Sequence, residues 1–239
     1  MDTVFSLLCW LSRPAILGPV TTAHTRRSRG RPAVPLDRII DMALQIVDEQ
    51  GADALSMRTL AQRLESGTAT LYRHFANRSE VIAQVLDRVF GEVEFSADEL
   101  AAQGWRQACA SFARAMFEAF RRHPNVMPLL SEQPPIGPNA IAQRERLLAV
   151  LLDNGFTPQL AARAYATVAR YVLGFALQLA GHEFDDAKLA GHFHTLDPRA
   201  FPATLTVADH LPVPLDEEFA LGLELIVDGL ARMRRRARR

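Results

Sequence analysis

The segment from Ser56 to Phe75, SMRTLAQRLESGTATLYRHF, constrains the fold of this chain more than any other. It predicts two short helices joined by a tight turn, in which Gly67 supplies the backbone freedom. Ser56 is suited to cap the first of these helices. The second is expected to run from about residue 68 to residue 74 and to bury Leu71. The segment therefore predicts a helix-turn-helix.

The outer face of the second helix carries hydroxyl, aromatic and basic side chains within one turn, namely Thr70, Tyr72, Arg73 and His74. A buried core has little use for that mixture, whereas a helix that enters a DNA groove needs donors for phosphates and base edges. The cluster therefore indicates a DNA-binding regulator. Two structural alternatives remain open: Tyr72 as half-buried core and His74 as a cation at a helix C-terminus.

Apolar residues at helical spacing predict helices on both sides of this motif. The first spans about 35–50 and ends at Gly51, and another opens with a capping box of Asn77 and Glu80. Further helices are expected near 105–123, 141–154, 157–180, 186–193 and 215–235, and no strand pattern is convincing. The predicted fold is all-α, with a DNA-binding domain over 35–95 and a second helical domain over 96–239, for which the family resemblance given below implies a regulatory and dimerisation role.

Two stretches, LSMRTLAQRL (Leu55 to Leu64) and TATLYRHFANRSE (Thr68 to Glu80), resemble the tetracycline-repressor (TetR) family of bacterial transcriptional regulators. The family usually has glycine where Glu65 stands and a small apolar residue where Ser66 stands. The resemblance implies that five residues face the major groove: Ala69, Thr70, Tyr72, Arg73 and His74. It also implies that Arg58 and Arg78 contact the DNA backbone. Arg73 is the best candidate for a base contact, because a guanidinium can bond guanine at two points.

The resemblance further implies a homodimer and an effector cavity. The dimer residues expected on the last two long helices are Tyr171, Gly174, Phe175, Phe219, Leu223, Ile226 and Val227. The expected cavity residues are Trp105, Phe112, Met116, Met127, Phe156 and Tyr165. For both sets ordinary core packing is the alternative. The implied effector is small and largely apolar, and an effector-independent or architectural DNA-binding protein remains the alternative function.

Residues 1–34 are expected to form an apolar, then arginine-rich, extension without a folding role. Within it Arg29 to Pro32, RGRP, resembles an AT-hook, in which Arg29 and Arg31 would enter a narrow minor groove. A disordered basic arm that touches only phosphates is the equal alternative. The arginines from residue 234 onward are expected to form a solvated tail.

The remaining features point away from catalysis. No Ser-His-Asp order, phosphate loop or HExxH motif occurs, so no enzyme activity and no cofactor are expected. The histidines and acidic residues between His182 and His194 are weak evidence for a metal site, and none is predicted. Two cysteines make no disulfide framework, which fits a cytoplasmic, nucleoid-associated protein. A membrane anchor at residues 1–20 is considered and not favoured.

Overall fold

The computed structural model describes residues 34–93, 102, 104–179 and 185–237. The residues of the predicted arm, Arg29 and Arg31 included, lie outside the described residues. Within the described ranges every regular element is helical, which confirms the all-α prediction. The α-helices are α1 (Leu36–Gln50), α2 (Met57–Arg63), α3 (Thr68–Leu71), α4 (Arg78–Gly91), α5 (Gly104–Arg122), α6 (Leu129–Glu132), α7 (Pro138–Asp153), α8 (Pro158–Leu179), α9 (Asp186–His194), α10 (Pro202–Thr206) and α11 (Leu215–Ala237).

The helix ends follow local sequence signals. Gly51 ends α1 with φ of 86°, and Gly155 follows α7 with φ of 80°, both values that favour glycine. The Asn77 side chain accepts from the Glu80 N–H at 3.1 Å, while the Glu80 carboxylate accepts from the Ala76 N–H at 2.7 Å. This is a capping box displaced by one residue. Helix α7 begins at Pro138, three residues before the predicted start, and the short helix α10 was not predicted.

The described residues form two compact units, and the first combines residues 34–89 with residues 125–140. It thus differs from the predicted domain of 35–95 by adding a segment that lies far along the chain. Polar contacts explain the addition. The Asn125 side chain donates to the Asp48 carbonyl of α1 at 2.9 Å, and the Ala140 N–H donates to the Asp87 carboxylate of α4 at 3.1 Å.

The second unit holds the described residues within 90–124 and 141–237, and its centre is the packing of α5, α8 and α11. The Phe117 and Phe219 rings stack with centroids 4.3 Å apart, and the Phe175 ring meets Phe219 edge-on at 5.4 Å. The Tyr171 hydroxyl donates to the Phe219 carbonyl at 2.7 Å. No helix in the described ranges has the length and apolar content needed to cross a bilayer.

Candidate nucleic-acid interface

Helix α2 is fixed at its start by its own cap. Ser56 is in an extended conformation, and its hydroxyl oxygen accepts from the Thr59 N–H at 3.0 Å, which confirms the predicted N-cap. The Ser56 and Thr59 hydroxyls also lie 2.8 Å apart, within hydrogen-bond distance. Leu60 and Ala61 are buried on the inner face of the helix. The cap and the apolar stripe together set the direction in which α2 leads into the turn.

The turn after α2 is a Schellman motif built on a residue that rarely occupies it. The Ser66 N–H donates to the Ala61 carbonyl at 2.9 Å and the Glu65 N–H to the Gln62 carbonyl at 3.0 Å, the two bonds that define the motif. Glu65 takes the left-handed position with φ of 48°. Gly67 has φ of −79°, which any residue adopts, so the prediction that Gly67 supplies the backbone freedom is wrong.

Helix α3 is one turn long and ends at Leu71, not at His74 as predicted. The N–H groups of His74 and Phe75 both donate to the Leu71 carbonyl at 2.9 Å, which tightens the chain into a turn at this point. Leu71 is fully buried and Phe75 is 4 % exposed, so they anchor the turn from beneath. The side chains on the outer face of the turn therefore lie above a buried apolar base.

The residues predicted to face DNA lie on the solvent side of this base. Tyr72 is 56 % exposed, so its alternative role as half-buried core is wrong. Ala69, Arg73 and His74 are also exposed, and Thr70 is half-buried. The structure thus brings hydroxyl, phenol, guanidinium and imidazole groups to one surface. These are groups that donate to phosphate oxygens and base edges.

The two flanking arginines differ from each other. Arg58, the second residue of α2, is exposed and free to meet a duplex backbone. Arg78, the first residue of α4, is half-buried, and its guanidinium is bonded to backbone carbonyls within the first unit. Its predicted phosphate contact therefore competes with protein contacts.

Comparison with known proteins identifies the chain over most of its length. Residues 39–85 match the family described as bacterial regulatory proteins, tetR family, and residues 99–234 match the tetracyclin repressor-like C-terminal domain. The chain belongs to the TetR family. The resemblance drawn from the helix-turn-helix is thereby confirmed, and with it the class of DNA-binding transcription regulators.

Individual TetR-family members are similar over nearly the whole chain. The transcriptional repressor DrrR1 of Streptomyces coeruleorubidus is 32 % identical over 218 residues, which cover 86 % of this chain and 80 % of that protein. Apo ActR of Streptomyces coelicolor has a TM-score of 0.77 and 31 % identity, covering 87 % of this chain and 100 % of ActR. ActR in complex with actinorhodin has a TM-score of 0.72 and 32 % identity, with 84 % and 99 % covered.

In this TetR-family chain the predicted effector residues have different surroundings. Trp105 and Phe156 meet edge-on with centroids 4.9 Å apart. Tyr165 lies instead beneath the Arg144 guanidinium at 5.5 Å, and Met127 belongs to the first unit. Phe112 and Met116 are buried on α5. The effector role of all six stays a prediction.

Sequence reasoning missed Arg234 at the end of α11. Its guanidinium lies 5.3 Å from the Trp105 ring centroid and 5.9 Å from that of Phe156, and it donates to the Asn154 carbonyl at 3.0 Å. It therefore does not belong to a solvated tail. An open groove of about 370 Å³ also lies beside the start of α8 and the end of α11, with Leu160, Arg163 and Met233 in its lining.

The predicted dimer residues divide by burial. Tyr171, Phe175 and Ile226 are half-buried and Gly174 is exposed, but Phe219, Leu223 and Val227 are 4 %, 1 % and 8 % exposed. Those last three contact their own chain, because α11 packs against α5 and α8 of the same subunit. The exposed large apolar residues on these two long helices are Leu177, Leu221, Leu225 and Met233.

Metal ligands are not grouped in the described part of the chain, where no three histidine, cysteine or acidic side chains are placed to hold one ion. His182 and Glu183, two members of the weak metal candidate, lie outside the described residues.

Proposed function

We propose that this protein is a ligand-responsive, sequence-specific repressor of transcription that binds a palindromic operator as a homodimer and is released by a small, largely apolar effector. The observation that carries the proposal is the surface of α3 and the following turn. There Tyr72, Arg73 and His74 stand exposed above the buried anchors Leu71 and Phe75. A rigid base with exposed donors is what base recognition requires, since it lowers the cost of ordering on binding.

Within this surface each residue has a distinct role. Arg73 reads a guanine edge with two hydrogen bonds, which discriminates by about 1–3 kcal/mol. Tyr72 grips a phosphate and packs against its sugar, while Thr70, His74 and Ala69 complete the groove contact. Arg58 touches the backbone beside it. Arg29 and Arg31 extend the contact from the N-terminal arm, so deletion of residues 1–33 should lower the salt dependence of binding.

The homodimer is proposed from exposed apolar side chains on the long helices of the second unit. Leu225 and Leu221 are 65 % and 60 % exposed on α11, and Leu177 is 47 % exposed on the neighbouring α8. Large apolar side chains exposed on two helices that pack together favour an interaction surface. Leu225→Glu should therefore give a monomer in analytical ultracentrifugation, while Leu152→Glu, at a 43 % exposed site on α7, should leave the dimer intact. A dimer that survives Leu225→Glu would contradict this assignment.

The effector is proposed from the apolar second unit and from its relative. ActR has been crystallised with actinorhodin, and its similarity to this chain covers 84 % of this chain's residues. A coupling free energy of about 1–3 kcal/mol between effector and DNA sites is enough for release. The alternative is an effector-independent or architectural DNA-binding protein. The discriminating observation is whether any ligand weakens operator binding.

The test is selection of bound sequences from a random duplex pool at two salt concentrations. An enriched palindrome supports the proposal, and weak, unselective, steeply salt-dependent binding contradicts it. Arg73→Ala should abolish the preference for the selected operator. Arg114→Ala is the matched control, because Arg114 is an exposed arginine on α5 of the second unit. Unchanged selectivity in Arg73→Ala would refute the base-reading role.

A further inference from the structure

The Arg78 side chain is hydrogen-bonded to the turn that precedes α2. Its Nε donates to the Leu55 carbonyl at 2.6 Å, and Nη2 donates to the Ala52 carbonyl at 3.2 Å. Ala52 begins a single 3₁₀ turn, and Leu55 immediately precedes the cap residue Ser56. Arg78 therefore holds the backbone from which α2 starts.

The other side of the guanidinium faces Glu132, the last residue of α6. Nη1 is paired with one carboxylate oxygen of Glu132, and Nη2 lies 3.4 Å from the other. A guanidinium has five N–H donors in a fixed fork. Four of these donors point at the carbonyls of Leu55 and Ala52 and at the Glu132 carboxylate. One N–H, on Nη1, is left for another acceptor. A two-point contact with a phosphate would require this arrangement to break.

We propose that Arg78 is a positioning residue for the DNA-reading surface and not a phosphate ligand. Its hydrogen bonds connect the start of α4 to the turn before α2 and to the end of α6, and Glu132 orients its guanidinium. We call this set of contacts, from Arg78 to Ala52, Leu55 and Glu132, the frame. Because α2 leads through the Schellman turn directly into α3, a change at Leu55 displaces the surface formed by Tyr72 and Arg73. This inference rests on the proposed function, since the frame acts on recognition only where that surface reads DNA.

An exposed ion pair contributes little by itself. The side chains of Arg78 and Glu132 are 33 % and 40 % exposed, so the effect comes through the two backbone carbonyls that the oriented fork holds. Lysine has no planar fork and cannot satisfy both carbonyls and the carboxylate together. Arg78→Lys therefore keeps the charge and removes the frame, which separates positioning from electrostatics.

The salt dependence of operator affinity distinguishes the two roles. A phosphate contact adds about 0.9 to the slope of log K against log salt concentration. If Arg78 is a positioning residue, Arg78→Lys and Arg78→Ala keep the wild-type slope but reduce the preference for operator over scrambled duplex about tenfold. A slope that falls by about 0.9 in Arg78→Ala, with discrimination unchanged, would overturn the proposal.

Glu132 gives a second test with opposite expectations. If Arg78 bound a phosphate, the Glu132 carboxylate would repel that phosphate. Removal of Glu132 would then leave DNA binding unchanged or make it tighter. As the group that orients Arg78, its removal in Glu132→Ala should weaken operator binding several-fold. Glu145→Ala is the matched control, because Glu145 is an exposed glutamate on α7 whose loss changes the net charge equally. Equal affinities for the two variants would contradict the positioning role.

Amide hydrogen exchange in the DNA-free protein keeps the inference testable if no operator is found. Loss of the frame should speed exchange of the amides in 52–64 about tenfold in Arg78→Lys and in Glu132→Ala, and not in Glu145→Ala. Unchanged exchange in that segment would overturn the frame whatever the protein does with DNA. Absence of selective binding by the wild type, in contrast, would refute only the proposed function.

Discussion

Gly137 should be the least replaceable glycine in the first unit, because the space where a side chain would begin is filled by Asp87. A Cβ at residue 137 would lie 2.3 Å from both Cγ and Oδ1 of Asp87 and 2.6 Å from its Cβ. Asp87 is only 6 % exposed. Its Oδ1 accepts from the Ala140 N–H and its Oδ2 from the Asn139 side chain, both at 3.1 Å. The carboxylate therefore cannot swing away without losing these bonds.

The magnitude follows from those distances. Normal van der Waals contact begins at about 3.4 Å, so Asp87 or the 137 backbone must move by about 1 Å. Such a shift breaks at least one hydrogen bond to a charged acceptor, worth about 1.5–3 kcal/mol, and adds overpacking strain of about 1–3 kcal/mol. The lower entropy of an unfolded alanine offsets about 0.4–1 kcal/mol. Gly137→Ala should therefore lower the free energy of unfolding by about 1.5–5.5 kcal/mol.

Urea unfolding followed by far-UV circular dichroism measures this change. Gly191→Ala in α9 is the control, because a Cβ there meets nothing within 4 Å and alanine is the better helix former. On an Asp87→Ala background two of the three colliding atoms are gone, so the additional cost of Gly137→Ala should shrink. A Gly137→Ala protein as stable as Gly191→Ala, or strict additivity with Asp87→Ala, would refute the packing argument.

Three further predictions concern the turn, the cap and the buried thiol. Glu65→Gly should raise the free energy of unfolding by up to about 1 kcal/mol, because φ of 48° strains a residue with a side chain; a loss of stability in urea would contradict this. Ser56→Ala should cost about 1 kcal/mol in the same assay by leaving the Thr59 N–H uncapped, and an unchanged midpoint would argue against the cap. Burial raises the pKa of the Cys109 thiol to about 12, so a folded Cys9→Ser variant should resist a disulfide reagent at pH 8 and react only in denaturant. Rapid labelling of the folded variant would show that the thiol is accessible.

Local signals account for the parts of this fold that were predicted correctly. The caps at Ser56 and Gly51 and the apolar spacing of the helices depend on residues a few positions apart, so the sequence displays them directly. The conformation of the turn after α2 was predicted incorrectly, because glycine was expected to take the left-handed conformation. The Schellman hydrogen bonds place that conformation on Glu65. Glycine elsewhere in a turn is a weaker guide than the hydrogen-bond pattern that closes the helix.

Contacts between distant residues account for the parts that were missed. Arg78 meets Glu132 across 54 positions, and no local pattern pairs them. Helix α11 is apolar on several sides, so periodicity could not show that Leu223 faces its own chain while Leu225 faces solvent. The same limit applied to Arg234, whose place beside Trp105 depends on how two distant helices pack.

The inclusion of residues 125–140 in the first unit also has a consequence for how the chain matures during synthesis. Residues 34–89 leave the ribosome first, but the Ala140 N–H that binds Asp87 is made 53 positions later. At about 5–20 residues per second, that interval is roughly 3–10 s. During this time the nascent helix-turn-helix lacks Asn139 and Ala140, which bind Asp87, and for most of it also lacks Glu132, which pairs with Arg78. The DNA-reading unit therefore reaches its final form only after more than half of the chain has been translated.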